Sequence, residues 1–233
     1  MRQIAHRGIS AQAPENTLPA FEMVQGMGIG AIETDLDLSA DGVLYLIHDD
    51  TLDRTTNTTG LFSDKTSAEL DGLDAGSWFA KDFAGTQLLR ATDLVPLINT
   101  NRWWVNFELK LSNLDAQALY LSQIGLLLDQ LTSDSDVLVS SFNVPLLAAF
   151  KKQFPHVKTA LLWEGILPDN WETVIADVQA SAIHPELGFI NEDWVNRFHA
   201  ADLSVNVWTV NEMADQQQLE KWEVDGIFTD FPR

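Results

Sequence analysis

Short runs of β-branched and apolar residues recur along this chain, and each is followed by a segment with apolar side chains at helical spacing. No other feature restricts the fold as tightly. Strand-like runs fall at 3–6, 31–36, 104–109, 137–142, 159–163, 182–184, 204–209 and 226–229. Amphipathic helical segments lie between them, at 15–27, 92–101, 115–131, 144–154, 171–179, 192–201 and 212–223. In 115–131, for example, Leu119, Ile124, Leu127, Leu128 and Leu131 mark the apolar stripe. Asn143, Asp169 with Asn170, Asn191 and Asn211 stand where side-chain caps would start helices. Eight strands alternating with seven helices predict parallel β/α units, and eight units close a (β/α)8 TIM barrel. An open doubly wound sheet is the alternative, but no Gly-rich phosphate loop follows the first strand. The last strand runs directly to Arg233, so the eighth helix is missing from the pattern.

The segment 50–90 breaks the rhythm, being turn-rich and without a long helical period. It reads as an insertion after the second strand, over the C-terminal mouth of a single catalytic domain spanning 1–233. The 233 residues suit one such barrel. With no cysteine, disulfides and thiolate metal sites are excluded. No stretch approaches the roughly 18 uninterrupted apolar residues of a membrane span. The expectation is a soluble, cytoplasmic protein with no stable membrane association. A net charge of −20 argues against nucleic acid and anionic membranes as partners. An anionic substrate would therefore need positive charge supplied locally.

In a barrel of this kind the functional side chains stand where strands end. Those ends carry His6 and Arg7, Glu33 and Asp35, Glu108 and Lys110, Phe142, Glu164, His184 or Glu186, Trp208 and Asp230. Glu33 and Asp35 are two apart and share a face, as do Glu108 and Lys110. Asp41-Gly42 between alternating apolar residues signals a hairpin. A two-residue loop would set Asp35 opposite His48, and a four-residue loop would set Glu33 there. Asp37, further along the hairpin, reads as solvated. Three carboxylates without a thiolate suit a hard divalent cation, Mg²⁺ or Ca²⁺. Two histidines suit a general acid/base pair, and Arg7 and Lys110 offer donors for a phosphate. Gly8 reads as a side-chain-free exit that leaves room for that phosphate. Any one of these motifs alone is ordinarily a surface ion pair; their meeting at successive strand ends is what points to metal-assisted phosphoryl transfer. His156 and His199 read as surface helix ends, while Trp103, Trp171, Trp194 and Trp222 read as packing.

HRG at 6–8, APENT at 13–17, E-x-D at 33–35, HDDTLDRTT at 48–56 and GSWF at 76–79 resemble the glycerophosphodiester phosphodiesterases. So do ELK at 108–110, SF at 141–142, VWTVN at 207–211 and DGIFTDFP at 225–232, in order over essentially the whole chain. The resemblance implies a TIM barrel with a small insertion after the second strand. It also implies hydrolysis of glycerophosphodiesters, such as glycerophosphocholine or glycerophosphoethanolamine, to sn-glycerol 3-phosphate and an alcohol. By the same resemblance Glu33, Asp35 and Glu108 would bind one divalent cation, and His6 and His48 would be the acid/base pair. Arg7 and Lys110 would hold phosphate oxygens, with Phe142 and Trp208 lining the glycerol side. Three other readings stand beside it: a phospholipase acting on lysophospholipids or sphingolipids, a non-catalytic phosphoglycerol-binding barrel, and an amidohydrolase-type metal barrel. The last would need histidine-rich strand tips.

Overall fold

The computed structural model describes residues 1–132 and 136–233. Its elements run β1 (Arg2–His6), α1 (Leu18–Met27), β2 (Ala31–Leu38), β3 (Leu44–Leu46), α2 (Ser67–Leu70), α3 (Ala91–Asn101), β4 (Trp104–Leu109), α4 (Gln117–Leu128) and β5 (Asp136–Ser141). They continue with α5 (Val144–Gln153), β6 (Lys158–Trp163), α6 (Trp171–Val178), β7 (Ala182–Pro185), α7 (Glu192–Ala200), β8 (Ser204–Val207), α8 (Met213–Lys221) and β9 (Gly226–Thr229). The strands lie in the order β1-β9-β8-β7-β6-β5-β4-β2, and β1 pairs with β2 to close a parallel barrel. This is the TIM barrel that the alternation predicts. β3 is an antiparallel addition to β2, and α2 belongs to the inserted segment. No helix follows β9 before Arg233; the backbone N–H of Arg233 bonds the Gln3 side chain instead.

The period of two along each strand separates two cores. Ile32, Val105, Val139, Ile183, Val205 and Ile227 point outward and are buried under the helices. Ile4, Ala31, Trp104, Leu138, Ala160, Ala182 and Phe228 fill the barrel, with Trp208 packed on them. One indole among three alanines is the large-with-small filling that a tapering interior needs. Glu33, Asp35, Asn106, Glu108 and Ser140 occupy the same inward face, nearer the strand ends. The sequence thus builds a barrel with a largely apolar filling and a charged C-terminal mouth.

Local signals account for most element starts. Asn143 accepts from the N–H of Leu146, and Asn191 from that of Trp194, so both cap as expected. Asn170 makes no side-chain cap. Asn211 is drawn away to Asp230, leaving Glu212 at the start of α8. In α4 the fully buried stripe is Tyr120, Leu121, Ile124 and Leu127, whereas Leu119 faces outward.

The hairpin has a three-residue loop, so neither loop length considered from sequence holds. Ser39 N–H bonds Val43 O, Gly42 has φ +85°, and the register pairs Leu36 with Leu46 and Asp37 with Tyr45. A positive φ at the last loop residue is the turn-plus-bulge solution that glycine permits. Ile47, not His48, bonds Asp35 across the ladder. His48 approaches the carboxylates only after the chain has left β3. Asp37 is also not solvated: it is buried and accepts from the N–H of Leu38 and from the N–H and hydroxyl of Ser112. Burial pushes its pKa up.

The inserted segment is ordered by its own small core, where Tyr45, Ile47, Leu52, Phe62, Leu70, Ala75 and Leu88 pack together. Asp74 ties it further, accepting from the N–H groups of Gly76, Ser77 and Gly85.

Candidate active site

β1 ends at His6, and the backbone then turns left-handed through Arg7 (φ 57°) and Gly8 (φ 85°). A Cβ on Gly8 would stand 2.6 Å from the Ala20 Cβ and 2.8 Å from its carbonyl carbon. The glycine is therefore required by the close approach of α1, not by room for a phosphate. The turn folds the Arg7 N–H onto Glu33, whose backbone oxygen and Oε2 both accept it at 3.1 Å. The Arg7 guanidinium reaches Glu15 Oε1 at 2.8 Å and Asp35 Oδ2 at 3.3 Å. Asn16, itself left-handed and buried, donates to Asp35 Oδ2 at 2.8 Å and accepts from Thr34. The loop after β1 thus fixes the end of β2.

Glu33, Asp35 and Glu108 are all buried, and one carboxylate oxygen from each lies within 4.8 Å of the others. β2 and β4 bring them together by register, since Asp35 pairs with Glu108 across the parallel ladder. Lys110 pairs with Glu108 and, at 3.3 Å, with Asp35 Oδ1. Asp35 Oδ1 and Glu108 Oε1 both face the Lys110 ammonium and accept no further hydrogen bond among the described residues. Burial and the charge of Asp35 push the Glu33 carboxyl well above its usual range, and the same two causes push Glu108 up to about 7. Burial opposes ionisation of Asp35 as well, but Lys110 and Arg7 outweigh it and hold Asp35 well below the usual carboxylate range. Burial likewise works against the charged forms of Arg7 and Lys110, and the carboxylates keep both more firmly protonated than usual. Crowded, dehydrated carboxylates with unspent lone pairs form a hard-oxygen donor set suited to a divalent cation.

The two histidines stand on this cluster from different elements. His6 Nδ1 lies 2.7 Å from Asp230 Oδ1, just past β9. Ser10 Oγ also donates to that oxygen, and Asn211 Nδ2 donates to Asp230 Oδ2. His48 Nδ1 lies 2.7 Å from Oδ1 of its neighbour Asp49, which Arg54 grips through Nε and Nη2. A carboxylate at Nδ1 assigns the proton to that nitrogen when the ring is neutral, leaving Nε2 free in both rings. Burial, aided by Arg7 and Lys110, lowers the His48 pKa against the attraction of Asp35.

One cavity of about 290 Å³ gathers His6, Arg7, Glu33, His48, Asn106 and Glu108 on one side. Phe142, Leu162, Glu164, Trp208, Thr209 and Phe228 form the other. Phe142 and Trp208 meet edge to face, with ring centres 5.5 Å apart, and Trp208 Nε1 donates to the His184 carbonyl. Asp35 and Lys110 stand behind this lining, held to it through Arg7 and Glu108. Every residue singled out from the sequence as catalytic, metal-binding or substrate-binding is therefore in one constellation. Of the other strand-end residues, Glu164 reaches the cavity. Glu186 accepts from the N–H of Gly165 outside it. His184 is fully buried below, with Asn206 at its Nε2, and burial lowers its pKa to about 3. Sequence reasoning gave no role to Glu15, Asn16, Asp49, Arg54 or Asp230. All five lie within the quoted motifs, and Asp230 also stands among the strand ends; it is 224 residues from its histidine, and no local pattern joins them.

A closed β/α barrel whose mouth combines a donor set suited to a divalent cation, two carboxylate-held histidines and two half-buried cations defines a phosphoryl-transfer hydrolase. The model of the glycerophosphoryl diester phosphodiesterase family matches residues 6–233. A glycerophosphodiester phosphodiesterase of Caldanaerobacter subterraneus subsp. tengcongensis is 35% identical over 229 residues, covering 98% of this chain and 93% of its own. A phosphodiesterase of Oleispira antarctica, solved in complex with the product sn-glycerol-3-phosphate, superposes with a TM-score of 0.95 at 30% identity, covering 100% of this chain and 94% of its own. The crystal structure of a putative glycerophosphoryl diester phosphodiesterase of Silicibacter pomeroyi superposes with a TM-score of 0.88 at 25% identity, covering 100% and 90%. The chain belongs to the glycerophosphoryl diester phosphodiesterase family and is a phosphoric diester hydrolase.

Proposed function

We propose that this enzyme hydrolyses small glycerophosphodiesters, such as glycerophosphocholine and glycerophosphoethanolamine, to sn-glycerol 3-phosphate and an alcohol in the cytoplasm. The observation that carries the reading is the single cavity bordered by two histidines, each with Nδ1 on a carboxylate and Nε2 free, beside three buried carboxylates. Glu33, Asp35 and Glu108 would hold one divalent cation, Mg²⁺ or Ca²⁺. When bound it would offset the negative charge of the phosphoryl oxygens and acidify a neighbouring hydroxyl. Arg7 in the lining and Lys110 just behind it would supply protonated donors for the remaining phosphate oxygens, the local positive charge that an anion needs on so acidic a protein. Phe142 and Trp208 offer apolar faces to the carbon side of glycerol.

His48, its pKa lowered by burial and by Arg7 and Lys110, is neutral near pH 7 and suits the base. It would take the proton of the glycerol 2-hydroxyl as that oxygen bonds to phosphorus. His6, backed by a carboxylate whose other partners are uncharged, suits the acid and would protonate the departing alcohol as its P–O bond breaks. Water then opens the cyclic phosphate with the two histidines exchanging roles. This family membership and the product complex of the Oleispira relative support the substrate class.

A second reading has its own observation. Phe142, Ile166, Phe189 and Phe231 stand exposed on the loops after β5, β6, β7 and β9, around the mouth. They would accept the chain of a lysophospholipid. Quantifying head-group release and the phosphorylated product from glycerophosphocholine, glycerophosphoethanolamine and lysophosphatidylcholine separates the two, the product being glycerol 3-phosphate from the first two and lysophosphatidic acid from the third. Faster turnover of the water-soluble diesters is expected; preference for the lysolipid would replace the first reading with the second, and a different phosphorylated product would remove both.

A further inference from the structure

Arg54 comes from the insertion, not from the barrel, and joins the two sides of the site. Its Nη1 and Nη2 donate to Glu15 Oε2 and Oε1 at 2.6 and 2.8 Å. Its Nε and Nη2 donate to Asp49 Oδ2 and Oδ1 at 2.7 and 2.9 Å. Glu15 Oε1 also receives Arg7, and Asp49 Oδ1 holds His48. The result is an unbroken chain of charged hydrogen bonds: His48, Asp49, Arg54, Glu15, Arg7. Exposed ion pairs contribute little, but here one guanidinium engages two carboxylates, and Glu15 is only 12% exposed.

The loop that projects Arg54 is built for the purpose. Leu52 anchors it in the insertion core, its N–H bonds the Gly60 carbonyl, and Asp53 accepts from the Gly60 N–H. Thr55 and Thr56 are buried on the other side of Arg54, and the indole of Trp78 lies 6.0 Å from the guanidinium carbon. Remove the guanidinium, and two carboxylates are left facing each other between the histidine and the phosphate-binding arginine.

We infer that Arg54 is a positioning residue, through which the insertion fixes His48 and Arg7 in one geometry for the reaction. The kinetic part of this inference rests on the proposed phosphodiesterase reading; the placement of His48 does not. Arg54→Gln should lower kcat for glycerophosphocholine on the order of tenfold to a hundredfold, the scale at which outer partners of functional groups act, with KM changed far less. Arg54→Lys should recover part of the loss, because an ammonium meets one carboxylate at a time. The losses from Arg54→Gln and Asp49→Asn should not multiply in the double variant, since both break the same chain.

Nitrogen-15 NMR of the imidazoles supplies a readout independent of turnover. In Arg54→Gln the Nδ1–H signal of His48 should broaden or exchange faster, while that of His6 stays as in the wild type. An unchanged kcat, a multiplicative double variant, or an unchanged His48 signal overturns the inference. If the wild type cleaves no diester while the His48 signal responds, the phosphodiesterase reading fails and the positioning role stands. Should Arg54→Gln not fold, Arg54→Lys and Glu15→Gln carry the same comparisons.

Discussion

The two histidines at the mouth have the same partner type and opposite architectures. His6 ends a barrel strand, and its carboxylate, Asp230, follows the strand hydrogen-bonded beside it. That carboxylate is steadied by neutral donors, Ser10 and Asn211. His48 lies beyond a short antiparallel strand, its carboxylate is the next residue, and a guanidinium from the insertion neutralises that carboxylate. The barrel thus supplies one histidine backed by net negative charge, and the hairpin leading into the insertion supplies one held within a balanced ion-pair chain. Similar Nδ1 contacts are set in different charge environments.

The largest effects expected are on the rings themselves. His6→Ala and His48→Ala should each lower kcat by about 10²–10⁴-fold, the usual worth of a general acid or base, with circular dichroism unchanged. Loss of folding in both would assign the rings to structure. Removing the backing charge should do less. Asp230→Asn should cost about 10–100-fold in kcat, because its amide can turn an N–H toward His6 and favour the wrong tautomer. An Asp230→Asn enzyme with wild-type kcat would end the parallel between the two sites.

The smallest effect concerns a third histidine that has no carboxylate. His184 is buried and neutral, with its pKa lowered to about 3, while an unfolded chain regains an ordinary histidine near 6.5. Below about 6.5 the unfolded state binds the extra proton, so stability falls as pH drops from there toward 3. Denaturant unfolding between pH 7 and pH 4 should show this as a slope of up to about 1.4 kcal/mol per pH unit from this group. His184→Gln should flatten the slope by that amount; an equal slope in both proteins would place His184 in contact with water.

The barrel was legible in the sequence because period-two strands and period-3.6 helices leave independent marks, and each barrel strand and flanking helix lies within three residues of its expected bounds. The carboxylate cluster was legible because E-x-D and E-x-K project from single strand faces. The hairpin register was not, since Asp-Gly serves loops of two or three residues, and Ser39 pairing with Val43 selects the longer. Burial of Asp37 depends on Ser112, which lies 75 residues away. Order in the insertion comes from Asp74 gripping backbone N–H groups and from apolar residues scattered between 45 and 88, neither of which is periodic. Asp230 joins His6 only after the barrel closes.

The central claim is that both histidines work beside a divalent cation held by Glu33, Asp35 and Glu108. Its most direct test is glycerol 3-phosphate release from glycerophosphocholine by the wild-type enzyme in EDTA, then after Mg²⁺ or Ca²⁺ is restored, with Glu108→Gln run in parallel. Activity should vanish in EDTA, return with at least one of the two ions, and return in Glu108→Gln only at higher ion concentration. Full activity in EDTA would contradict it.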